Sequence, residues 1–166
     1  MISIRKSQDD GFIDVFNVDF AFPALRDLFT VYSDIGIETL FKDSSQKINF
    51  KNLNSYINKS IKNTRSFHVD SKTKQLKAFI YLTDCLLLDD GPHTYVKGSH
   101  LDGPLRRLNQ SISQVMPNRT KNPENIMAIL AKNASIIASD PGGSHRGFPQ
   151  AKGGQRVIAV LNIWTS

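Results

Sequence analysis

The second half of the chain alternates short runs of β-favouring residues with turn residues, and this pattern constrains the fold more than any other feature. Asp89-Asp90-Gly91-Pro92 and Asp140-Pro141-Gly142-Gly143-Ser144 are turn sequences. Around them lie runs rich in Ile, Val, Phe and Tyr, at residues 65–70, 76–83, 94–96, 134–139 and 156–163. Several short strands separated in this way predict a mainly β fold, either a sandwich or a barrel.

Other segments have features of helices. Apolar residues at helical spacing follow Pro23 and continue towards Gly36, which predicts a helix between these two residues. The same spacing occurs in residues 103–116. Asn122-Pro123-Glu124 is typical of the start of a short helix, which would end near Lys132. These segments predict helices beside the strands.

Length and composition fit a single domain over residues 1–166. A chain with 40% hydrophobic and 22% charged residues is typical of a globular protein with one packed core. We expect a helical or irregular lead-in over residues 1–64, with a short helix or irregular stretch at 54–62. A β core would follow over residues 65–166, and a helical insert would interrupt it at about 100–132.

The sequence also predicts a cellular setting and excludes some partners. A single cysteine, Cys85, cannot form an internal disulfide. The N-terminal residues lack the apolar region of a secretory signal, and no apolar run is long enough to cross a membrane. The net charge is +6, but the lysines are scattered and not interleaved with aromatic residues. We therefore expect a cytoplasmic protein with no membrane or nucleic-acid partner; its oligomeric state is left open.

The tripeptide His68-Val69-Asp70 is the first element that indicates chemistry. Alternate residues of a strand project to the same side, so His68 and Asp70 would point together while Val69 points away. One imidazole and one carboxylate supply two of the three ligands of a 2-His-1-carboxylate Fe(II) site, which leaves open positions on the metal. Two polar residues on a surface strand are the alternative interpretation of this tripeptide alone.

A third ligand has to come from a distant part of the chain. His145 follows a glycine-rich turn and begins a strand. Arg156 opens the next apolar strand, where a charge is costly unless it has a partner. A guanidinium can hold a carboxylate through two parallel hydrogen bonds. Taken singly, His145 could equally lie in a surface loop and Arg156 at an exposed strand end.

In their order along the chain, these elements resemble the phytanoyl-CoA dioxygenase family. FHVD is similar to the family's His-x-Asp element, and LKAFIYLTD to the strand after it. DDGPHTYVKGSH is similar to a block that usually ends in Pro-Gly-Ser-His, with Lys97 in place of the proline. SHRGFPQAKGGQR is similar to the distal histidine and arginine, with Gly147 where relatives often have a hydroxyl residue. The resemblance covers about residues 65–164.

This resemblance implies a mainly β fold with flanking helices, the double-stranded β-helix or jelly roll that is also found in cupins. It implies an oxygenase that uses Fe(II), 2-oxoglutarate and O₂. His68, Asp70 and His145 would be the metal ligands and catalytic residues. Arg156 would bind the C5 carboxylate of 2-oxoglutarate, and Phe79 would contact the same cosubstrate.

The resemblance also implies a reaction, hydroxylation of a small molecule with decarboxylation of 2-oxoglutarate to succinate. Halogenating relatives lack the carboxylate ligand, so the presence of Asp70 favours hydroxylation. The two remaining histidines are interpreted differently. His93 is assigned to a solvated turn, and His100 is assigned a structural role at the end of its block.

Three alternatives stay open. A cupin-like metalloenzyme that does not use 2-oxoglutarate would have no carboxylate for Arg156, so Arg156→Ala would leave its ligand binding unchanged. A non-catalytic jelly-roll binding module is compatible with the shortness of the chain for this family. A nucleic-acid demethylase is suggested by the positive charge and disfavoured because that family's second downstream arginine is not at the expected spacing. The identity of the substrate is not encoded in any motif.

Overall fold

A computed structural model describes most of the chain, and nine β-strands occur within the described residues. The described residues are 2–4, 11–27, 29–30, 48–62, 64, 66–70, 75–101 and 123–165. The strands are β1 (Ile2–Ile4), β2 (Phe12–Val15), β3 (Ile48–Lys59), β4 (Gln75–Tyr81), β5 (His93–Val96), β6 (Ile126–Ile129), β7 (Ile136–Ser139), β8 (His145–Gly147) and β9 (Gln155–Thr165). Residues 23–27 are helical, and short 3₁₀ turns lie at Val18–Phe20, Leu88–Asp90, Ser99–Leu101 and Pro123–Asn125.

The strands form two antiparallel sheets. The larger sheet has six strands in the order β1-β2-β3-β9-β4-β7, and the smaller has three in the order β6-β5-β8. The long strands β3 and β9 pair from Ile48↔Thr165 to Lys59↔Gln155, with a bulge between Phe50 and Asn52. Because β9 also pairs with β4, sequence-distant strands lie side by side at the centre of the sheet. This is the expected jelly roll.

The large sheet is covered on both faces, which explains the almost continuous apolar sequences of β4 and β9. Side chains on its outer face pack against the segment that follows β2, in a cluster of Val18, Phe29, Leu53, Ala78, Ile80, Ala159, Leu161 and Ile163. Side chains on its inner face form a second cluster of Phe79, Tyr81, Cys85, Ile158 and Val160. The inner cluster lies at the base of the cavity described below.

The inner face of β4 meets the small sheet through Tyr81 and Phe79. The Tyr81 hydroxyl accepts a hydrogen bond from the His93 N–H at 3.2 Å and donates one to the Ile129 carbonyl at 3.3 Å. The Phe79 and His93 ring centroids are 4.8 Å apart. These contacts hold the two sheets face to face.

Four of the five predicted strands are confirmed, as β4, β5, β7 and β9. In the fifth, residues 66–70 make only an isolated bridge at His68. The predicted helix start at Pro23 is confirmed by residues 23–27. The remainder of that helix beyond residue 30, and the helix predicted at 103–116, lie outside the described residues.

Three predictions about local structure were wrong. Residues 54–59 belong to β3, whose inward positions are polar and whose outward positions include Leu53 and Ile57. Pro123–Asn125 form a single 3₁₀ turn instead of the first turn of the predicted helix. The strand β6 follows and pairs with β5 through Val96↔Ile126. The lead-in also contains the strands β1 and β2, so it is not merely helical or irregular.

None of the helices in the described part of the chain is long and apolar enough to span a membrane.

Candidate metal centre

His68 and Asp70 lie on an extended segment that is fastened to the start of β8. The backbone N–H groups of His68 and His145 each donate to the carbonyl of the other at 3.0 Å. The Asp70 N–H donates to the carbonyl of Pro141 at 3.2 Å. The turn 140–144 therefore supports Asp70 and leads directly into His145, so one local structure positions all three residues.

The side chains of His68, Asp70 and His145 converge as the sequence predicts. Nε2 of His68 lies 3.3 Å from Oδ1 of Asp70, and Nε2 of His145 lies 3.3 Å from Oδ2. One potential ligand atom from each residue lies within 4.8 Å of the others. The side chains are 12%, 20% and 8% exposed respectively, so each is largely shielded from solvent.

The second nitrogen of each imidazole fixes how the ring is presented. Nδ1 of His68 is 2.8 Å from the Ser66 carbonyl, and Nδ1 of His145 is 3.0 Å from the Gly143 carbonyl. A carbonyl can only accept, so each Nδ1 carries a proton, and in a neutral ring Nε2 then presents a lone pair. Two lone pairs and a carboxylate repel one another unless a proton or a cation lies between them. A divalent metal satisfies all three groups.

Asp70 is strongly held in its ionised form. Burial raises its pKa, but the contacts to His145 and His68 and the ammonium of Lys77 outweigh this effect and hold the pKa well below its usual value. Nζ of Lys77 donates to Oδ2 of Asp70. The carboxylate therefore lies against one ammonium and two imidazoles.

The three residues open into a cavity of about 440 Å³, within the range of small-molecule sites. Its walls come from both sheets. They consist of Phe12, Asn52, Tyr56, Asn58, Thr64, His68, Asp70, Gln75, Lys77, Phe79, His93, His145, Arg146, Gly147, Arg156, Ile158, Val160 and Asn162.

Arg156 extends from β9 into the same cavity and is only 6% exposed. Its Nη1 donates to the Gly91 carbonyl, and its Nη2 is 2.6 Å from the Asn58 side-chain oxygen when that amide is oriented to suit its neighbours. Nε has no hydrogen-bond partner among the described residues. Burial lowers the pKa of Arg156. A Cβ on Gly147 would lie 3.0 Å from Nη2, so the glycine leaves the guanidinium accessible.

Phe79 lines the cavity. The assignment of His93 to a solvated turn was wrong. His93 begins β5, is 5% exposed, and its Nε2 lies 3.2 Å from the Ser139 hydroxyl. Its ring centroid is 5.5 Å from that of His145. Burial and the neighbouring charges hold the pKa of His93 well below its usual value. His100 is exposed in the turn Ser99–Leu101 and is not part of the metal group found among the described residues.

Lys77, Asn58 and His93 are among the cavity residues that sequence reasoning missed. Lys77 lies two residues before Phe79 on β4, so strand alternation places both on the same face. Asn58 pairs with Arg156 in the register of β3 and β9, which only the topology reveals. The alternation of β4 was therefore a signal in the sequence that could have identified Lys77.

Comparisons with known proteins identify the type of fold. No protein-family model and no curated protein matches the chain. HygX from Streptomyces hygroscopicus, crystallised with nickel and 2-oxoglutarate bound, matches with a TM-score of 0.73 and 12% identity over 99% of this chain and 73% of that one. SnoK, a non-heme alpha-ketoglutarate-dependent carbocyclase of nogalamycin biosynthesis, matches with a TM-score of 0.77 and 18% identity over 98% of this chain and 67% of that one.

A third structure shows how varied the neighbours are. SnoN, a non-heme alpha-ketoglutarate-dependent epimerase of nogalamycin biosynthesis, has a TM-score of 0.77 and 15% identity over 99% of this chain and 67% of that one. At such identities the likeness establishes a shared fold and not a shared reaction. The chain therefore has the jelly-roll fold of these non-heme enzymes.

Proposed function

We propose that this protein is an Fe(II)- and 2-oxoglutarate-dependent oxygenase that hydroxylates a small molecule. One observation carries the proposal, the convergence of Nε2 of His68, Nε2 of His145 and the Asp70 carboxylate at 3.3 Å with both Nδ1 atoms directed at carbonyls. Two imidazoles and one carboxylate with open positions suit Fe(II). HygX has the same fold and was crystallised with iron, and separately with nickel and 2-oxoglutarate.

Arg156 supports the choice of 2-oxoglutarate. A buried guanidinium whose partners are a carbonyl, an amide and the Tyr81 hydroxyl has no anionic partner, and a carboxylate would neutralise it. Gly91 and Asn58 would hold the guanidinium in orientation. Arg156 would then bind the carboxylate of 2-oxoglutarate that is remote from the metal, and Phe79 would contact the carbon chain.

When bound, Fe(II) and 2-oxoglutarate supply oxidation chemistry in which O₂ is consumed, 2-oxoglutarate yields succinate and CO₂, and a substrate C–H bond is hydroxylated. The protein contributes orientation and a dry wall, formed by Phe79, Ile158 and Val160. Asp70 would keep a carboxylate on the metal, which favours hydroxylation over halogenation.

The proposal includes finer points that the fold alone leaves open. SnoK and SnoN, a carbocyclase and an epimerase, have the same fold, so hydroxylation has to be tested on the product. Membership of the phytanoyl-CoA dioxygenase family is supported by the ordered motifs between residues 65 and 164. A cytoplasmic location and a small-molecule substrate are part of the same proposal.

An anaerobic titration tests the proposal directly. Fe(II)-loaded protein is titrated with 2-oxoglutarate, and we expect the weak visible metal-to-ligand charge-transfer absorption of the chelated cosubstrate. Arg156→Met is the matched variant, and it should need far more 2-oxoglutarate to give the same absorption. If folded, iron-loaded wild-type protein gives no absorption and calorimetry shows no 2-oxoglutarate binding, the protein is a metalloprotein of another kind.

A further inference from the structure

Lys77 is a cation in the cavity that neither the metal nor 2-oxoglutarate requires. It lies on β4 with its side chain 16% exposed, and its ammonium is held by Asp70. In the proposed enzyme the charge of Asp70 is shared with the metal, so the ion pair with Lys77 weakens. A largely buried ammonium is then left without a full counter-charge, which is unfavourable.

The sum of the charges in the cavity also leaves the ammonium of Lys77 without a counter-charge. Among the described residues that line the cavity, Asp70 is the single carboxylate, whereas Lys77, Arg146 and Arg156 are cationic. A divalent metal is balanced by Asp70 and one carboxylate of 2-oxoglutarate, and Arg156 is balanced by the other. Lys77 and Arg146 remain. Arg146 is bonded to the neutral Thr64 hydroxyl, and its Cζ lies 5.5 Å from the Phe67 ring centre.

The surroundings of Lys77 are polar. Lys77 pairs with Asn162 of β9, and Asn162 pairs with Asn52 of β3, so these three residues form a row across the sheet. Nδ2 of Asn162 donates to Oδ1 of Asn52 at 2.7 Å, which leaves Nδ2 of Asn52 as a donor. Gln75 lines the cavity beside them. Further along the same strands the wall is apolar, with Phe79 and Val160.

We propose that Lys77, with Asn162 and Asn52 beside it, binds an anionic oxygen group of the substrate, either a carboxylate or a phosphate. Arg146 adds a second positive charge in the same cavity and would strengthen the attraction. This proposal rests on the proposed function, because the metal must engage Asp70 for Lys77 to become available. It narrows the substrate from any small molecule to an anionic one.

The test measures binding of simple anions and needs no knowledge of the substrate. Co(II) replaces Fe(II), 2-oxoglutarate is added, and inorganic phosphate or acetate is titrated while phosphorus or carboxyl-carbon NMR relaxation reports occupancy and distance from the paramagnetic ion. We expect one or both anions to bind outside the coordination shell of the metal. Lys77→Met should weaken that binding about tenfold or more, since a charge-assisted hydrogen bond is lost.

Lys132→Met is the matched control, since Lys132 is exposed and does not line the cavity; it should bind the anions as the wild type does. Occupancy by phosphate alone or acetate alone identifies which group the site accepts. Equal anion binding in Lys77→Met and wild type overturns the proposal, as does direct coordination of both anions to Co(II). Loss of metal binding in Lys77→Met also overturns it, because Lys77 would then be a positioning residue for Asp70.

Failure of the proposed function has a different readout. If the visible spectrum of the Co(II) protein does not respond to 2-oxoglutarate, the cosubstrate assignment is wrong. The anion titration of the Co(II) protein without 2-oxoglutarate then still decides whether Lys77 binds an anion.

Discussion

Asp70 and Arg156 are two charges in one cavity with opposite surroundings. Asp70 faces the Nε2 atoms of two imidazoles, whose Nδ1 atoms are directed at carbonyls, and one ammonium. Arg156 contacts neutral groups, the Gly91 carbonyl, the Asn58 amide and the Tyr81 hydroxyl, and no carboxylate among the described residues faces it. The difference indicates two kinds of ligand: a cation between the imidazoles and Asp70, and an anion at Arg156.

The pKa values follow the same division. Burial raises the pKa of Asp70, but contacts with His145, His68 and Lys77 outweigh this effect and hold the pKa below its usual value, which favours the ionised form. Burial lowers the pKa of Arg156, although an arginine starts so high that it remains charged. Both charges therefore persist, and only ligands can change their balance.

Removal of a metal ligand should produce the largest effect. We expect His68→Ala to weaken Fe(II) or Zn(II) binding at least about 100-fold, since one of three protein ligands is lost. Competition with a chromophoric chelator measures the affinity. His100→Ala is the matched control, because His100 is exposed and lies outside the metal group. Equal rates of succinate production by His68→Ala and wild type, without substrate, would remove His68 from the site.

Replacement of the buried cation Arg156 should produce the next largest effect, and this effect should be confined to the binding of 2-oxoglutarate. Arg156→Met should weaken 2-oxoglutarate binding by roughly 30-fold or more, the usual cost of truncating a buried charge pair. Metal affinity should not change. The free energy of unfolding without ligands should not fall, because an uncompensated buried charge has been removed. Calorimetry and thermal unfolding with and without 2-oxoglutarate provide the two measurements.

Unchanged 2-oxoglutarate affinity in Arg156→Met would contradict the assignment of an anion site at Arg156. The cavity would then belong to a cupin-like protein in which Arg156 is structural. A large loss of stability in the unliganded variant would lead to the same conclusion.

Two of the strands that the sequence predicts correctly, β4 and β9, have nearly continuous apolar residues. β4 and β9 are buried on both faces, so their composition alone identifies them. β3 was missed because its inward positions Asn52, Tyr56 and Asn58 line a polar cavity, which removes the expected apolar stripe. Long-range pairing with β9 stabilises it instead, and no local propensity reports such pairing.

The candidate site was predictable where the chemistry depends on local spacing. His68 and Asp70 follow from strand alternation, although the segment makes only one bridge. Arg156 follows from a charge beside a buried strand. His93 was not predicted, because its position inside the cavity depends on how the two sheets face each other. Lys77 was not predicted either, although strand alternation places it on the same face as Phe79.

Gly147 provides a finer test of how the position of the Arg156 guanidinium affects 2-oxoglutarate binding. Its Cβ would lie 3.0 Å from Nη2 of Arg156, so Gly147→Ala should displace the guanidinium slightly and weaken 2-oxoglutarate binding by up to about tenfold, equivalent to about 1.4 kcal/mol. Gly147→Ser adds a hydroxyl that can hydrogen-bond the guanidinium or the carboxylate, so its loss should be smaller. Calorimetric titration of the metal-loaded variants compares the two. Equal 2-oxoglutarate affinities in Gly147→Ala, Gly147→Ser and the wild type would show that the short distance between residue 147 and Arg156 does not constrain the guanidinium.

Phe79 should give the smallest effect, because it contributes contact area and no charge. Its ring packs 4.8 Å from that of His93 and forms part of the cavity wall. Phe79→Leu retains most of the apolar volume. We therefore expect 2-oxoglutarate binding to weaken only about threefold, which is less than the loss expected when the charge of Arg156 is removed. Ile80→Val is the control, since Ile80 lies on the same strand and packs in the outer cluster. It should lower the free energy of unfolding by about 1 kcal/mol without altering 2-oxoglutarate affinity. An unchanged affinity in both variants would mean that Phe79 supports His93 and does not contact the cosubstrate.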